Sequence, residues 1–293
     1  MTVPSLPRDR TRLTGPSRLN INVFRLKDSG VTEANTRPAR TINDVKYNRE
    51  KSRRYSGSIN HGSVYILKIM AKEPSQSWRI TIALTVLFGI SMGYFEAAVV
   101  VYLRELYYPG GFSFPLELIP SNIIAVELFR EFWSIIMLAA VAGLAGKKFW
   151  ERFGYFIVMF GVWDILYYVW LRILIGWPES LFDWDILFLI PLPWIGPVIA
   201  PVLIALLMIV IGISITLMFD RGVDFRPTKM TWALAVLATL VLLYSFMHDI
   251  DAGLYQAEPK PYAYWMLFIG LALYLGAYIV SYRKAVAGMP ETE

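Results

Sequence analysis

Glu96, Glu127, Arg130, Glu131 and Asp164 are ionisable residues set inside long apolar runs. Each such group costs roughly 2.5–3.5 kcal/mol on membrane-insertion scales, so residues of this kind face a bundle interior or a wet cavity and mark ion, proton or ligand sites. Asp185 joins them from the second of two WDIL tetrapeptides, Trp163–Leu166 and Trp184–Leu187. Carboxylates with one guanidinium can hold a cation, relay protons, or ligate Mg or Mn. Arg130 and Glu127 are three residues apart and can pair along one helix face. Glu131 points about 100° away from Arg130 on the same helix. If all are ionised, Glu96, Glu127, Glu131 and Asp164 against Arg130 leave a net charge of −3. A dry, low-dielectric site does not hold that unaided, so protons, a bound cation or water must balance it. The plainer alternative is a network in which Arg130 locks helices together, at about 0.6 kcal/mol per polar contact.

A weaker constellation is the run SFMHDID, which holds His248, Asp249 and Asp251. His248 and Asp251 are three apart and could ligate Zn or Mn or relay protons. The simpler reading is a histidine capping a helix end. Arg104 and Arg172 stand near helix ends, where they could balance acids, bind an anion or extend to the interface. The absence of cysteine excludes disulfides, thiolate metal sites and iron–sulfur clusters. With only His61 and His248 present, a three-histidine zinc site and a bis-histidine haem are excluded too, so this chain alone holds no haem or iron–sulfur cluster. Glycine-rich phosphate loops, G-x-S-x-G, H-E-x-x-H and EF-hand patterns do not occur.

The elements that must position these residues are membrane helices. The chain is 56% hydrophobic, with a mean hydropathy of +0.47, ten Trp and seventeen Tyr. Serial apolar runs of about 20 residues match the ~30 Å hydrocarbon layer, and the aromatics suit its interfaces. Six spans are predicted, at roughly 80–106, 121–146, 150–176, 198–219, 230–250 and 263–283. The fold class is therefore all-α, a polytopic helix bundle of six transmembrane helices plus one short half-helix. Counted from the span ends, Glu96, Glu131 and Asp164 all fall about 15–18 Å deep at 1.5 Å per residue, so one layer near the bilayer middle is expected. Gly89, Gly93 and Ala97 form a small-residue stripe that lets another helix backbone come close.

The half-helix is expected over about 178–190. Gly176 would close the third span in a left-handed cap, Pro178 would begin the new helix with Glu179 in its first turn, and Pro191 and Pro193 would stop it. At ~18 Å it is too short to cross. It would lie in the interface on Trp177, Phe182 and Trp184, or dip inward and bring Asp185 to the charged layer.

Residues 1–79 differ in kind: sixteen Lys/Arg against six Asp/Glu, with little hydrophobic periodicity. They read as a disordered basic tail preceding a transmembrane domain of residues 80–293. Met70 is an alternative start, which would make residues 1–69 a mis-assigned extension. Such a tail could meet anionic lipid; no nucleic-acid partner is expected. Basic residues orient the bundle. With the N-terminus in the cytoplasm, Lys147, Lys148, Arg152, Arg221, Arg226, Lys229, Arg283 and Lys284 fall inside, against Arg104, Arg172 and Lys260 outside. Both termini are then cytoplasmic, and the outer ends gather acidic residues that raise local cation concentration.

The segments FGVWDILYYVWLRILIGWPESLFDWDILFLIPLPWIGPVIAP, GYFEAAVVVYLRELYYP and ELFREFW resemble a group of uncharacterised bacterial multi-pass inner-membrane proteins. The resemblance covers most of 80–219 and implies a bacterial cytoplasmic membrane, with no activity, ligand or site residue attached. Three functions compete. The first is a transporter, or a proton- or cation-conducting protein, with an outward-facing site of Glu96, Glu127, Arg130, Glu131, Asp164 and Asp185. The second is an accessory subunit docking on partner membrane subunits or on a second copy. The third is a membrane-embedded carboxylate–metal enzyme. Beyond the lipid bilayer, no partner is fixed by the sequence.

Overall fold

The computed structural model describes residues 71–117, 119–190, 192–249 and 257–288. The basic tail as far as residue 70, and Asp251, lie outside the described residues. Among the described residues are six long helices: α1 (Gln76–Tyr107), α2 (Ser121–Ala145), α3 (Phe149–Ile175), α4 (Ile199–Asp220), α5 (Lys229–Met247) and α6 (Tyr264–Ala287). A two-stranded antiparallel hairpin, β1 (Trp184–Phe188) and β2 (Trp194–Pro197), stands between α3 and α4. Helices α1, α3, α4, α5 and α6 are each long and apolar enough to cross a membrane, which fits a multi-pass membrane protein. Helix α2 is long enough, at 25 residues, but carries Glu127, Arg130 and Glu131 in its first half.

Local chemistry sets the helix ends. Ser75 caps α1 by accepting the Trp78 amide at 3.1 Å, so the helix begins at Gln76 rather than near residue 80. The same Ser75 donates its amide to Asp220 at 2.9 Å and bonds it again through its hydroxyl, tying the start of α1 to the end of α4. Thr228 caps α5 by accepting the Thr231 amide at 3.1 Å. Glu151 accepts the Lys147 amide at 2.7 Å at the start of α3. Gly176 closes α3 in the left-handed conformation (φ 74°), where a side chain would be strained. The Arg172 guanidinium folds onto the carbonyls of Gly176 and Pro178, the latter at 3.1 Å, and so caps that end.

Helix α3 is the centre of the packing, with ten buried residues from Gly154 to Leu171. The small-residue stripe of α1 lies against it: a Cβ on Gly89 would stand 2.9 Å from the Met159 carbonyl. On its other side α3 meets α4 glycine to glycine, and a Cβ on Gly212 would come within 2.6 Å of the Gly154 carbonyl. Backbones this close gain dispersion contacts, the main source of helix association once lipid has replaced water. Helix α2 lies at the periphery and buries a single stripe, Glu131, Ser134, Leu138 and Ala142, at helical spacing. Its apolar part packs with Met92, Tyr155, Met159 and Trp163. Helices α5 and α6 pair separately around Leu242, Phe246 and Leu267.

The predicted half-helix over 178–190 is not formed; the segment turns and enters the hairpin. Asp183 folds its carboxylate back onto the amides of Glu179 (2.7 Å) and Ser180 (3.2 Å), closing a turn instead of letting a helix propagate. Trp184–Phe188 is rich in aromatic and branched residues that suit a pleated strand. Pro193, expected with Pro191 to stop a helix, directly precedes the return strand; Pro191 lies outside the described residues. Trp184 then faces Pro197, Asp185 faces Gly196 and Ile186 faces Ile195, with a bulge before Phe188 meets Trp194. The pairing satisfies backbone N–H and C=O groups of the two strands. The hairpin also caps α4: Ile199 donates its amide to the Leu181 carbonyl at 2.7 Å and Val198 donates to Asp183 at 3.0 Å.

Candidate functional site

One cavity of about 670 Å³ lies between α1, α2, α3, α4 and the hairpin. Glu96, Glu127, Arg130, Glu131, Asp164 and Asp185 all line it. The rest of its wall is mainly aliphatic and aromatic, with Leu103, Ile123, Phe160, Trp163, Ile204 and Met208 among the contributors. A concave, largely apolar chamber with a few convergent polar groups is the usual form of a small-molecule site.

Arg130 bridges two helices. Its Nε donates to Glu127 at 2.7 Å on its own helix, and Nη1 pairs with Glu96 on α1. All three side chains are at most 17% exposed. The spacing-based pair with Glu127 is thus one half of a triad with net charge −1. Glu131 is engaged differently: its two carboxylate oxygens share the Leu189 amide at 3.1 and 3.0 Å. The α2 stripe therefore ends on the chain just beyond β1.

Asp185 reaches this chamber on a strand, not on a dipping helix. It is 2% exposed. Arg104 donates to it at 3.1 Å, and Tyr167, Tyr168 and the Ile186 amide also bond it. With its acceptor positions filled, Asp185 holds the hairpin to α1 and α3 and is not open to a solute. Asp164, one turn before Tyr168 on α3, has no hydrogen-bond donor on its carboxylate among the described residues. It lies near enough to Asp185 and Glu96 to interact with their charges. Glu131 and Asp164, with one excess charge on the Arg130 triad, are the unbalanced part of the site.

Arg104 is the principal residue whose place the sequence left open. It is 8% exposed. Its guanidinium sits in the corner of two rings set at 77° to each other, with the Phe112 centroid 4.3 Å away and that of Trp177 at 3.7 Å. Cation–π contact of this kind suits a planar, weakly hydrated cation. One edge reaches Asp185, while Nη1 is buried without a hydrogen-bond partner among the described residues. Trp194 Nε1 is likewise buried and unpartnered among the described residues, its ring stacked on Phe246 at 5.9 Å. Tyr167 and Tyr168 were also missed as site residues. Their signal is the YY pair three and four residues after Asp164, which puts it on the same face of α3.

Of the second constellation, Asp251 lies outside the described residues, and His248 and Asp249 are each engaged elsewhere. His248 Nδ1 faces the Ser245 carbonyl at 3.0 Å, a helix-end contact. Asp249 pairs with Lys260 Nζ at 3.2 Å and accepts its amide at 2.5 Å. Ser245, three residues from His248, bonds the Leu242 carbonyl at 2.7 Å and the Tyr262 hydroxyl at 3.0 Å. Among the described residues, no three His, Asp or Glu side chains stand close enough to hold a metal ion.

No protein-family model, curated protein or solved structure matches this chain. The resemblance to bacterial inner-membrane proteins therefore rests on the quoted segments alone.

Proposed function

We propose that the chain is a transporter, crossing a bacterial cytoplasmic membrane six times with both termini inside and moving protons or a small cationic solute through the chamber. The sixth crossing is α2, whose charged half faces the chamber while its remaining surface meets lipid. The observation that carries this reading is Asp164: a carboxylate on a central helix, lining a 670 Å³ chamber with no hydrogen-bond donor on it among the described residues. A purely structural acid in such a place would be expected to have a partner, as Glu96, Glu127 and Asp185 do. Protons or organic cations are favoured over a bound metal because no ligand cluster supports the metalloenzyme alternative among the described residues.

The test is proton movement into proteoliposomes under an imposed potassium diffusion potential, read by a trapped pH dye, with and without an ethidium gradient as a model organic cation. Wild-type protein is expected to move protons or exchange them for ethidium, and Asp164→Asn is expected to abolish this while melting as wild type does. Wild-type vesicles indistinguishable from empty ones in both conditions would overturn transport and leave the accessory-subunit reading in its place.

A further inference from the structure

We propose that the cationic solute of the chamber is an amphiphile, an organic ammonium with an apolar tail, which enters from the lipid between α2 and α4 and seats its charged head at Asp164. The inference rests on the chamber being a transport site, as above, and adds the chemical class of the solute and its route of entry.

Charge sets the sign of the head. Six carboxylates line the chamber against two arginines. Both arginines are already engaged, Arg104 with Asp185 at 3.1 Å and Arg130 with Glu127 and Glu96. Asp164 is only partly buried and lines the chamber, so an occupant reaches it as it stands. Aromatic residues flank it on α3 and line the same chamber: Phe160 one turn before, Tyr167 and Tyr168 one turn after. Phe160 and Tyr167 are likewise only partly buried. A carboxylate among aromatic rings suits an alkylated ammonium, whose charge is drawn to ring faces. A hard metal ion would instead demand several oxygen ligands. Among the described residues, no three acids stand close enough to supply them.

The wall sets the tail and the route. A volume of about 670 Å³ has room for roughly twenty waters at about 30 Å³ each, far beyond the needs of a proton. The wall around it is mainly aliphatic and aromatic, which suits an apolar portion of the solute. The hydrophobic packing of α2 on α1 and α3 comes from its second half, residues 135–145. Its first half lines the chamber with Ile123, Ile124 and Leu128, and α4 lines it with Ile204 and Met208. None of these five is buried, and Ile124 is 41% exposed. On two spanning helices, partly exposed apolar side chains of this kind meet acyl chains, so the chamber wall and the lipid surface run into one another there. A tail that moves from the bilayer to this wall exchanges one apolar surrounding for another and gains little. The tail therefore sets the route, by concentrating the solute in the bilayer, while the head at Asp164 sets the affinity.

Purified full-length protein in phosphatidylcholine nanodiscs is titrated with three diphenylhexatriene probes that differ in charge: the trimethylammonium form, the neutral parent and the propionate. Binding is read as energy transfer from protein tryptophan, counting only the part displaced by excess dodecyltrimethylammonium. The trimethylammonium probe is expected to bind at least tenfold more tightly than the neutral parent, and the propionate more weakly still. Tetramethylammonium, the same head without a tail, is expected to displace it at least a hundredfold less effectively than dodecyltrimethylammonium does. Asp164→Asn is expected to lower the affinity of the cationic probe to that of the neutral one. Ile124→Trp, which narrows the gap, is expected to slow association of the cationic probe at least threefold. Val126→Trp, on the same helix but outside the chamber wall, is expected to leave it unchanged. Displacement by tetramethylammonium as effective as by dodecyltrimethylammonium, with ethidium still driving proton movement in proteoliposomes, would overturn this inference and leave the cation reading intact. Equal binding of the three probes to wild-type protein would overturn it without recourse to any variant. Association slowed alike by both tryptophan variants, or by neither, would overturn the route between α2 and α4.

Discussion

Glu131 on α2 receives the backbone amide of Leu189 on both of its carboxylate oxygens, at 3.1 and 3.0 Å, and so joins a peripheral helix to the hairpin that closes the chamber. The contact makes the hairpin a wall of the site rather than a loose connection. Glu131→Ala is expected to cost about 1–3 kcal/mol, because it strands the Leu189 amide. Glu131→Gln keeps an acceptor oxygen and is expected to cost less. Thermal melting in detergent gives the ranking. Hydrogen exchange across 188–190 locates the effect, and faster exchange there is expected in the alanine variant alone.

Arg130 carries two acids, and removing it should be more damaging than removing either. Arg130→Ala leaves Glu96 and Glu127 buried at 14% and 12% exposure without a cation, a loss of about 3–5 kcal/mol. Neutralising the acids as well, in Arg130→Met/Glu96→Gln/Glu127→Gln, should recover most of that loss. Melting temperatures of the single and triple variants check it. A triple variant as unstable as Arg130→Ala would mean that packing, not charge, is what Arg130 supplies.

The helices were legible because an apolar run of about 20 residues has few other fates, and because Gly176, whose left-handed cap was expected, adopts it. The polar residues on them were legible for the same reason: charge inside such a run is costly. The hairpin was hidden. Trp184–Phe188 is apolar enough to read as helix, and the prolines after it look like stop signals until the return strand Trp194–Pro197 is known. Pairing between strands is a non-local fact. The environment of Arg104 was hidden likewise, since Phe112, Trp177 and Asp185 come from three separate stretches of chain. Arg104 and Arg172 looked alike in sequence, yet one faces the chamber and the other caps its own helix.

Tyr262 supplies a pH-dependent term outside the spanning helices. Burial pushes its hydroxyl up to about 12, against the ordinary value near 10, while the hydrogen bond to Ser245 at 3.0 Å opposes the shift only partly. The folded state therefore holds this proton more tightly than the unfolded state does. The contribution is fully present below about pH 10 and is lost as pH rises from about 10 to about 12. Tyr262→Phe removes it, together with a hydrogen bond worth about 1 kcal/mol. The variant is expected to melt lower at neutral pH but to lose less stability between pH 10 and 12 than wild type does. Parallel melting curves across that range would contradict the assignment.

Helix contact between α3 and α4 is set by glycine, and one substitution isolates it. A Cβ on Gly161 would lie 2.6 Å from the Ala205 carbonyl and 2.8 Å from the Ile209 side chain. The first neighbour is backbone, which cannot swing aside, so α4 itself must shift. Gly161→Ala is expected to cost about 1–3 kcal/mol, as overpacking does elsewhere. Gly143 on α2 is the control, since a Cβ there meets nothing within 4 Å. Gly143→Ala should be neutral or stabilising by up to about 1 kcal/mol, because alanine loses less backbone freedom in a helix than glycine. The pair also probes the chamber, because Ala205 lines it. If α4 moves to admit the methyl group, proton movement in proteoliposomes should fall in Gly161→Ala and stay unchanged in Gly143→Ala. Equal melting of the two variants would mean that α3 and α4 do not approach as closely as their glycines allow.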